Sequence, residues 1–196
     1  MPIQQSIDSA LEKTIGQHGV ADKALAAALD RAEGALDWLR ARHADSGLPL
    51  LRLPEMHDDL PAIRDAGQRL AANATDVVIL GTGGSSLGGQ TLTQLAGHGV
   101  PGVGALREPP RLHVRDMLDA YTFATLLDRL PHQTTRYVAI SKSGGTAETL
   151  MQTIAALSAV KGQGLETRIP DNFLGLTEPA KPGKKNGLRD LLAAHH

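Results

Sequence analysis

The chain of 196 residues contains no cysteine, which excludes both a disulfide framework and a thiolate metal site. Aromatic residues make up only 3% of it, too few for a base-stacking platform or a carbohydrate-stacking face. Neither sign of charge dominates. The formal balance is −1 and no long basic run occurs, which argues against a nucleic-acid partner. No segment approaches the roughly 18 consecutive apolar residues of a membrane-spanning helix. The opening MPIQQSIDSALEK has no apolar core of the kind a secretory leader carries. These absences lead us to expect a soluble, cytoplasmic chain with neither a membrane nor a nucleic-acid partner. Histidine is plentiful, but its eight positions are scattered and form no H-x-x-x-H pair; a metal centre is not expected.

What is present fits an ordinary globular protein, with 41% hydrophobic residues and a length suited to one domain with an appendage. The first third reads as helical. From about Val20 to Arg42, Leu25, Leu29, Ala32, Leu36 and Leu39 recur at helical spacing. Asp22 favours the start of this helix, and Gly47 and Pro49 stop it. Trp38 is expected to anchor the N-terminal helix against the α/β core, a packing role. Leu48 to Pro54 is a proline-punctuated connector, and a second helix is predicted from about Asp58 to Ala72, with Asp58-Asp59 supplying N-terminal charge and Pro61 near its start.

At Asp76 the pattern changes. Val77–Leu80 is a continuous apolar run, as in a strand buried on both faces. Further strands are predicted at Arg111–Arg115, Arg136–Ile140 and Phe173–Thr177. The intervening helices are predicted near 86–96, 120–130 and 147–160, with a last one at 188–194. Alternation of strands and helices gives an α/β fold: a three-layer parallel sheet of flavodoxin type in residues 74–196, preceded by a helical segment in residues 1–73. The pattern ends on a helix with no strand after it, so the domain is expected to lack its last strand and the chain to be the N-terminal piece of something longer. His113, on a predicted strand, reads as a semi-buried structural histidine, and Lys184-Lys185 as a solvated turn.

Two loops attract the chemistry. The first strand empties into Gly81-Thr82-Gly83-Gly84-Ser85-Ser86-Leu87-Gly88-Gly89. A dinucleotide fingerprint G-x-G-x-x-G fails here, because Ser86 or Ser85 falls where a glycine is required. A Walker loop fails as well, since no lysine lies in 81–89. The third strand empties into Ser141-Lys142-Ser143-Gly144-Gly145-Thr146, which opens a helix. Such a loop offers backbone N–H groups, hydroxyl donors and the positive end of a helix dipole to an anion. Lys142 adds a point charge suited to phosphate. In the strand order 2-1-3-4-5, strands one and three are neighbours, and a single phosphate then touches both loops. For either loop alone, capping of the following helix explains the hydroxyls, and Lys142 alone reads as a solvated surface lysine. The pair points to phosphate.

GTGGSSLGG and AISKSGGTAETL, occurring in this order, resemble the paired signatures of the sugar isomerase (SIS) domain, and specifically those of the glucose-6-phosphate isomerase family. The resemblance covers about Asp76 to Thr149, with weaker agreement through LTEP. It implies a small-molecule sugar phosphate as partner, held by Gly84 and Ser85 of the first loop and by Ser141, Lys142, Ser143 and Thr146 of the second. It also implies no metal and no cofactor, aldose–ketose isomerisation as the activity, and a homodimer in full-length members. Glu148 matches a motif glutamate with a supporting role. The family's catalytic glutamate, histidine, lysine and arginine lie in later segments, so no catalytic residue is expected in these 196 positions. Gly144-Gly145 replaces bulkier residues of many relatives and predicts a more mobile loop. A non-catalytic phosphosugar-binding module, another SIS-domain sugar-phosphate isomerase and, more distantly, a nucleotide-binding domain stand as alternative readings.

Overall fold

The computed structural model describes residues 4–98 and 110–195; His196, grouped above with the scattered histidines, lies outside them. The chain divides into two compact units, Met1–Pro61 and Ala62–His196. In the first, short turns of helix that include α1 (Glu12–Ile15) lead into α2 (Asp22–Ala44). A single bridge joins Leu11 to Val20, and Leu11 is the buried residue among the described positions of this unit. Asp22 is the first residue of α2, where a carboxylate suits the helix dipole. The connector 49–55 is a 3-10 helix rather than an irregular link. Trp38, expected to pack, is 56% exposed, and Leu29 and Leu36 are exposed with it. The other elements of this unit are too short to cover 23 residues of helix.

α3 (Leu60–Ala71) begins at the boundary and leads into the second unit. There the elements alternate: β1 (Asp76–Leu80), α4 (Leu87–Leu95), β2 (Arg111–Arg115), α5 (Ala120–Arg129), β3 (Thr135–Ile140) and α6 (Ala147–Gly162). A one-turn helix α7 (Ile169–Asn172) then precedes β4 (Phe173–Leu176), and α8 (Gly187–Ala193) follows. All strand pairs are parallel, in the order β2-β1-β3-β4. Parallel neighbours need crossovers, which the helices supply. The predicted strands agree to within a residue at each end. α7 and the turn before it go beyond the sequence pattern: four residues with a proline carry no usable periodicity.

The register explains the core. Val78 pairs with Tyr137 and Tyr137 with Phe173, while Leu80 pairs with Ala139. One face therefore presents Val78, Leu80, Tyr137, Ala139 and Phe173 to Phe123 and Leu127 of α5, Ala156, Leu157 and Val160 of α6, and Leu188 and Leu192 of α8. Tyr137 stacks on Phe173 with ring centroids 4.7 Å apart.

Several buried polar groups of this unit are paired. Asp76 is fully buried; Arg111 donates to its two oxygens at 2.9 Å each, and His113 lies 2.7 Å from one of them. His113 is thus semi-buried and satisfied, as its strand position suggests. His132, which has no distinguishing sequence context, is also buried, with Nδ1 2.5 Å from the Tyr137 hydroxyl. Burial pushes the His132 pKa down against the opposing charge of Asp128. A histidine whose folded pKa lies below its unfolded value stabilises above the unfolded value, near 6.5. That stabilisation is lost as pH falls toward the folded pKa, because the unfolded chain then binds more protons. We therefore expect the urea midpoint to be lower at pH 5.5 than at pH 7.5, and His132→Asn to flatten the difference. Tyr137→Phe, which strips the hydroxyl from buried His132, should cost about 1–2 kcal/mol in the same measurement.

Candidate functional site

The strand order makes β1 and β3 neighbours, so the two hydroxyl loops leave the same edge of the sheet side by side. Sheet hydrogen bonding continues into both. Gly81 N–H donates to the Arg115 carbonyl at 3.2 Å, and Ser141 N–H donates to that of Leu176 at 3.0 Å. At Gly81 a Cβ would lie 3.2 Å from the Ile140 carbonyl oxygen and 3.0 Å from Ser85 Cβ. The absence of a side chain there is what lets the first loop lie against the end of β3.

In the first loop Gly83–Ser85 forms a single 3-10 turn and α4 begins at Leu87. Gly84 is exposed and Ser85 half-buried. The Ser86 hydroxyl is turned back on the Gly83 carbonyl at 3.2 Å, and no side chain caps α4. In the second loop Ser141 is buried, Thr146 half-buried, and Lys142 and Ser143 exposed. The hydroxyls of Ser141 and Thr146 lie 2.8 Å apart. Ser141 Oγ also accepts the Gly144 N–H at 3.1 Å, and Ser143 Oγ the Gly145 N–H at 3.3 Å. Thr146 occupies the N-cap position of α6, yet its hydroxyl makes no cap hydrogen bond. The first N–H groups of this 16-residue helix are left without a side-chain acceptor, at the positive end of its dipole. Capping therefore does not account for Thr146, and the end of α6 presents donors beside the first loop.

The Gly144-Gly145 pair does not behave as expected. Gly144 has φ +70° and is buried. Its N–H donates to Ser141, and its carbonyl accepts the Leu188 N–H at 2.8 Å. A Cβ there would overlap the side-chain amide of Asn186. The glycine fixes this loop through a left-handed conformation and a close approach, rather than loosening it.

Asn186 is not singled out by the sequence, and it organises the surroundings. It is 4% exposed. Its Nδ2 donates to the Ser143 carbonyl and, at 2.7 Å, to Thr177 Oγ1, while its Oδ1 accepts the Arg189 N–H and caps α8. Thr177 Oγ1 and Glu178 N–H both donate to the Lys142 carbonyl. Lys184, read above as part of a solvated turn, is exposed and also donates to Glu178 at 2.8 Å, as does Lys181 at 2.9 Å. Hydrogen bonds from Lys184 and Lys181 hold the Glu178 pKa down at about 2. The segment 177–189 is thus a brace under the SKSGG loop. An N-cap Asn before a helix is the available signal, but nothing in the sequence ties it to a loop some forty positions earlier.

No family model matches the chain. Among curated proteins, the glucose-6-phosphate isomerase of Rubrobacter xylanophilus is 35% identical over 101 residues, covering 51% of this chain and 23% of that protein. The enzyme of Carboxydothermus hydrogenoformans is 28% identical over 162 residues, 80% of this chain and 34% of the relative. That of Acaryochloris marina is 38% identical over 98 residues, or 49% and 17%. Among solved structures, a hypothetical protein of Thermus thermophilus superposes with a TM-score of 0.63 at 29% identity, over 86% of this chain and 38% of that one. The chain is a partial relative of the glucose-6-phosphate isomerases, spanning between 17% and 34% of the length of these three.

Proposed function

We propose that this chain carries the phosphate-anchoring part of a sugar-phosphate isomerase that interconverts glucose 6-phosphate and fructose 6-phosphate. The observation that carries the reading is the juxtaposition of the two hydroxyl loops at the ends of adjacent strands, beside the uncapped start of α6. A phosphate seated there receives the N–H groups at the head of α6 and hydroxyls from Ser85, Ser143 and Thr146. Gly84 allows close backbone approach, Ser141 holds the turn, and Lys142 supplies a positive charge from the rim.

In the isomerisation the sugar ring opens, a proton moves between C2 and C1, and the carbonyl shifts through an enediol. A phosphate held several bonds from those carbons supplies binding free energy and fixes them against a base. Because the family's catalytic groups belong to later segments, the isolated 196-residue chain is expected to bind phosphosugar without turnover.

Ser141→Ala and Thr146→Ala should each weaken binding of fructose 6-phosphate by about 1–2 kcal/mol, as for hydrogen bonds involving a charged group. Calorimetric titration measures this; unchanged affinity in both returns these hydroxyls to loop structure alone. Parallel titrations with glucosamine 6-phosphate and arabinose 5-phosphate distinguish this reading from other SIS-type isomerases. Steady turnover by the homogeneous chain would refute the non-catalytic assignment.

A further inference from the structure

A second concentration of positive charge lies at the opposite ends of the strands. A cavity of about 370 Å³ is lined by Arg69 and Leu70 of α3, Arg136 of β3, Arg168, Asp171 and Phe173. Arg136 is the second residue of β3 and Ser141 follows that strand. Five residues of extended chain, about 16 Å, therefore separate this cavity from the hydroxyl loops.

The cavity is built, not incidental. Arg136 is 6% exposed. Nη1 donates to Asn172 Oδ1 at 3.0 Å and Nη2 to the Ala72 carbonyl at 3.1 Å. Asn172 is itself locked, donating to the His132 carbonyl at 2.9 Å. Both acceptors of Arg136 are neutral, so a buried cation is oriented by hydrogen bonds but paired with no carboxylate among the described residues. Burial, and next the neighbouring Arg168 charge, hold its pKa below the usual arginine value, with Asp171 opposing. Arg168 has one carboxylate partner, Asp171 at 3.4 Å, and its Nε is buried with no acceptor. Arg69 is exposed on the rim, in the last turn of α3. Three guanidiniums against one carboxylate leave two positive charges around one small cavity. The remaining wall is apolar, from Leu70, Phe173 and Leu174.

We propose that this cavity binds a small phosphate monoester, its dianionic head on Arg69, Arg136 and Arg168 and its body against Leu70, Phe173 and Leu174. Guanidinium forks match the geometry of phosphate oxygens, and a phosphate near −2 balances the excess charge. The site is separate from the loops, so it is independent of the function proposed above.

The test is a titration of the whole chain with inorganic phosphate, followed by NMR of the arginine Nε–Hε groups together with the backbone amides. Saturable shifts at Arg136 and Arg168 are expected, distinct from those of residues 141–147. Arg69→Gln and Arg168→Gln should each weaken the arginine-site affinity at least fivefold while leaving the loop titration unchanged. Arg69 is exposed, so its variant is expected to fold. Shifts confined to the loop amides, or an arginine-site affinity indifferent to both substitutions, would overturn the proposal.

Discussion

Gly144→Ala is expected to abolish measurable fructose 6-phosphate binding and to lower the unfolding free energy by about 3–6 kcal/mol. Three effects combine. An alanine at φ +70° carries a left-handed penalty of about 1–2 kcal/mol. Its Cβ displaces the Asn186 amide, which removes the cap of α8 at about 1 kcal/mol. Displacement also breaks the two part-buried hydrogen bonds from the amide to the Ser143 carbonyl and the Thr177 hydroxyl, at about 0.5–1.5 kcal/mol each. The control is the adjacent glycine. A Cβ on Gly145 meets nothing closer than Ser143 Oγ at 3.9 Å, and its φ is not positive. Gly145→Ala should therefore leave stability within about 1 kcal/mol of the parent, on the stabilising side if anything. Denaturant unfolding and phosphosugar titration of the two variants decide the matter. Equal behaviour would mean that the Asn186 brace does not hold the loop.

Arg111→Leu is the second large effect, expected to cost about 3 kcal/mol at pH 7. Asp76 is fully buried while the Arg111 side chain is 55% exposed, so the two partners are not equivalent. Removing the arginine leaves a buried carboxylate with His113 alone, the costly way to break such a pair. Removing the carboxylate leaves an arginine able to reach water, so Asp76→Leu should cost less. The pH dependence carries the sign. Burial raises the Asp76 pKa, but hydrogen bonds from Arg111, His113 and Thr75 outweigh it and leave the value below the usual carboxylate range. In the parent, this stabilisation is present above the unfolded value of about 3.9 and is lost as pH falls through the folded one. Without Arg111 the burial effect dominates and the folded pKa rises. The variant should then regain ground on the parent as pH falls from 7 toward 4. A gap that stays constant on acidification would show that Arg111 contributes through packing of its stem rather than through charge.

Most of the α/β unit is legible because parallel strands buried on both faces leave continuous apolar runs, as in Val77–Leu80 and Tyr137–Ile140, between strongly periodic helices. The two loops are legible because glycine and hydroxyl residues cluster at strand ends. What stays hidden depends on long-range packing. Asp76 and His132 look like solvent-facing residues until Arg111 and Tyr137 are placed on them. Asn186 reads as an ordinary N-cap until Gly144 is brought against it. The Gly144-Gly145 pair misleads for the same reason, since freedom inferred from composition is spent on one fixed conformation. In the first unit, periodicity locates α2 but not the exposure of Trp38, because a helical pattern names a face and not what covers it.

The side-by-side placement of the two loops also has a kinetic meaning. Thr75 and Thr134, whose hydroxyls lie 2.8 Å apart where β1 meets β3, are separated by 59 positions of chain. Local helices form in about a microsecond, whereas such distant strands must first close a long loop. Each hydroxyl loop is therefore available as a local turn long before the two meet. The capacity to hold a phosphate between them arises only when β1 docks on β3, so ligand added during refolding should report the completion of the sheet rather than the appearance of helix.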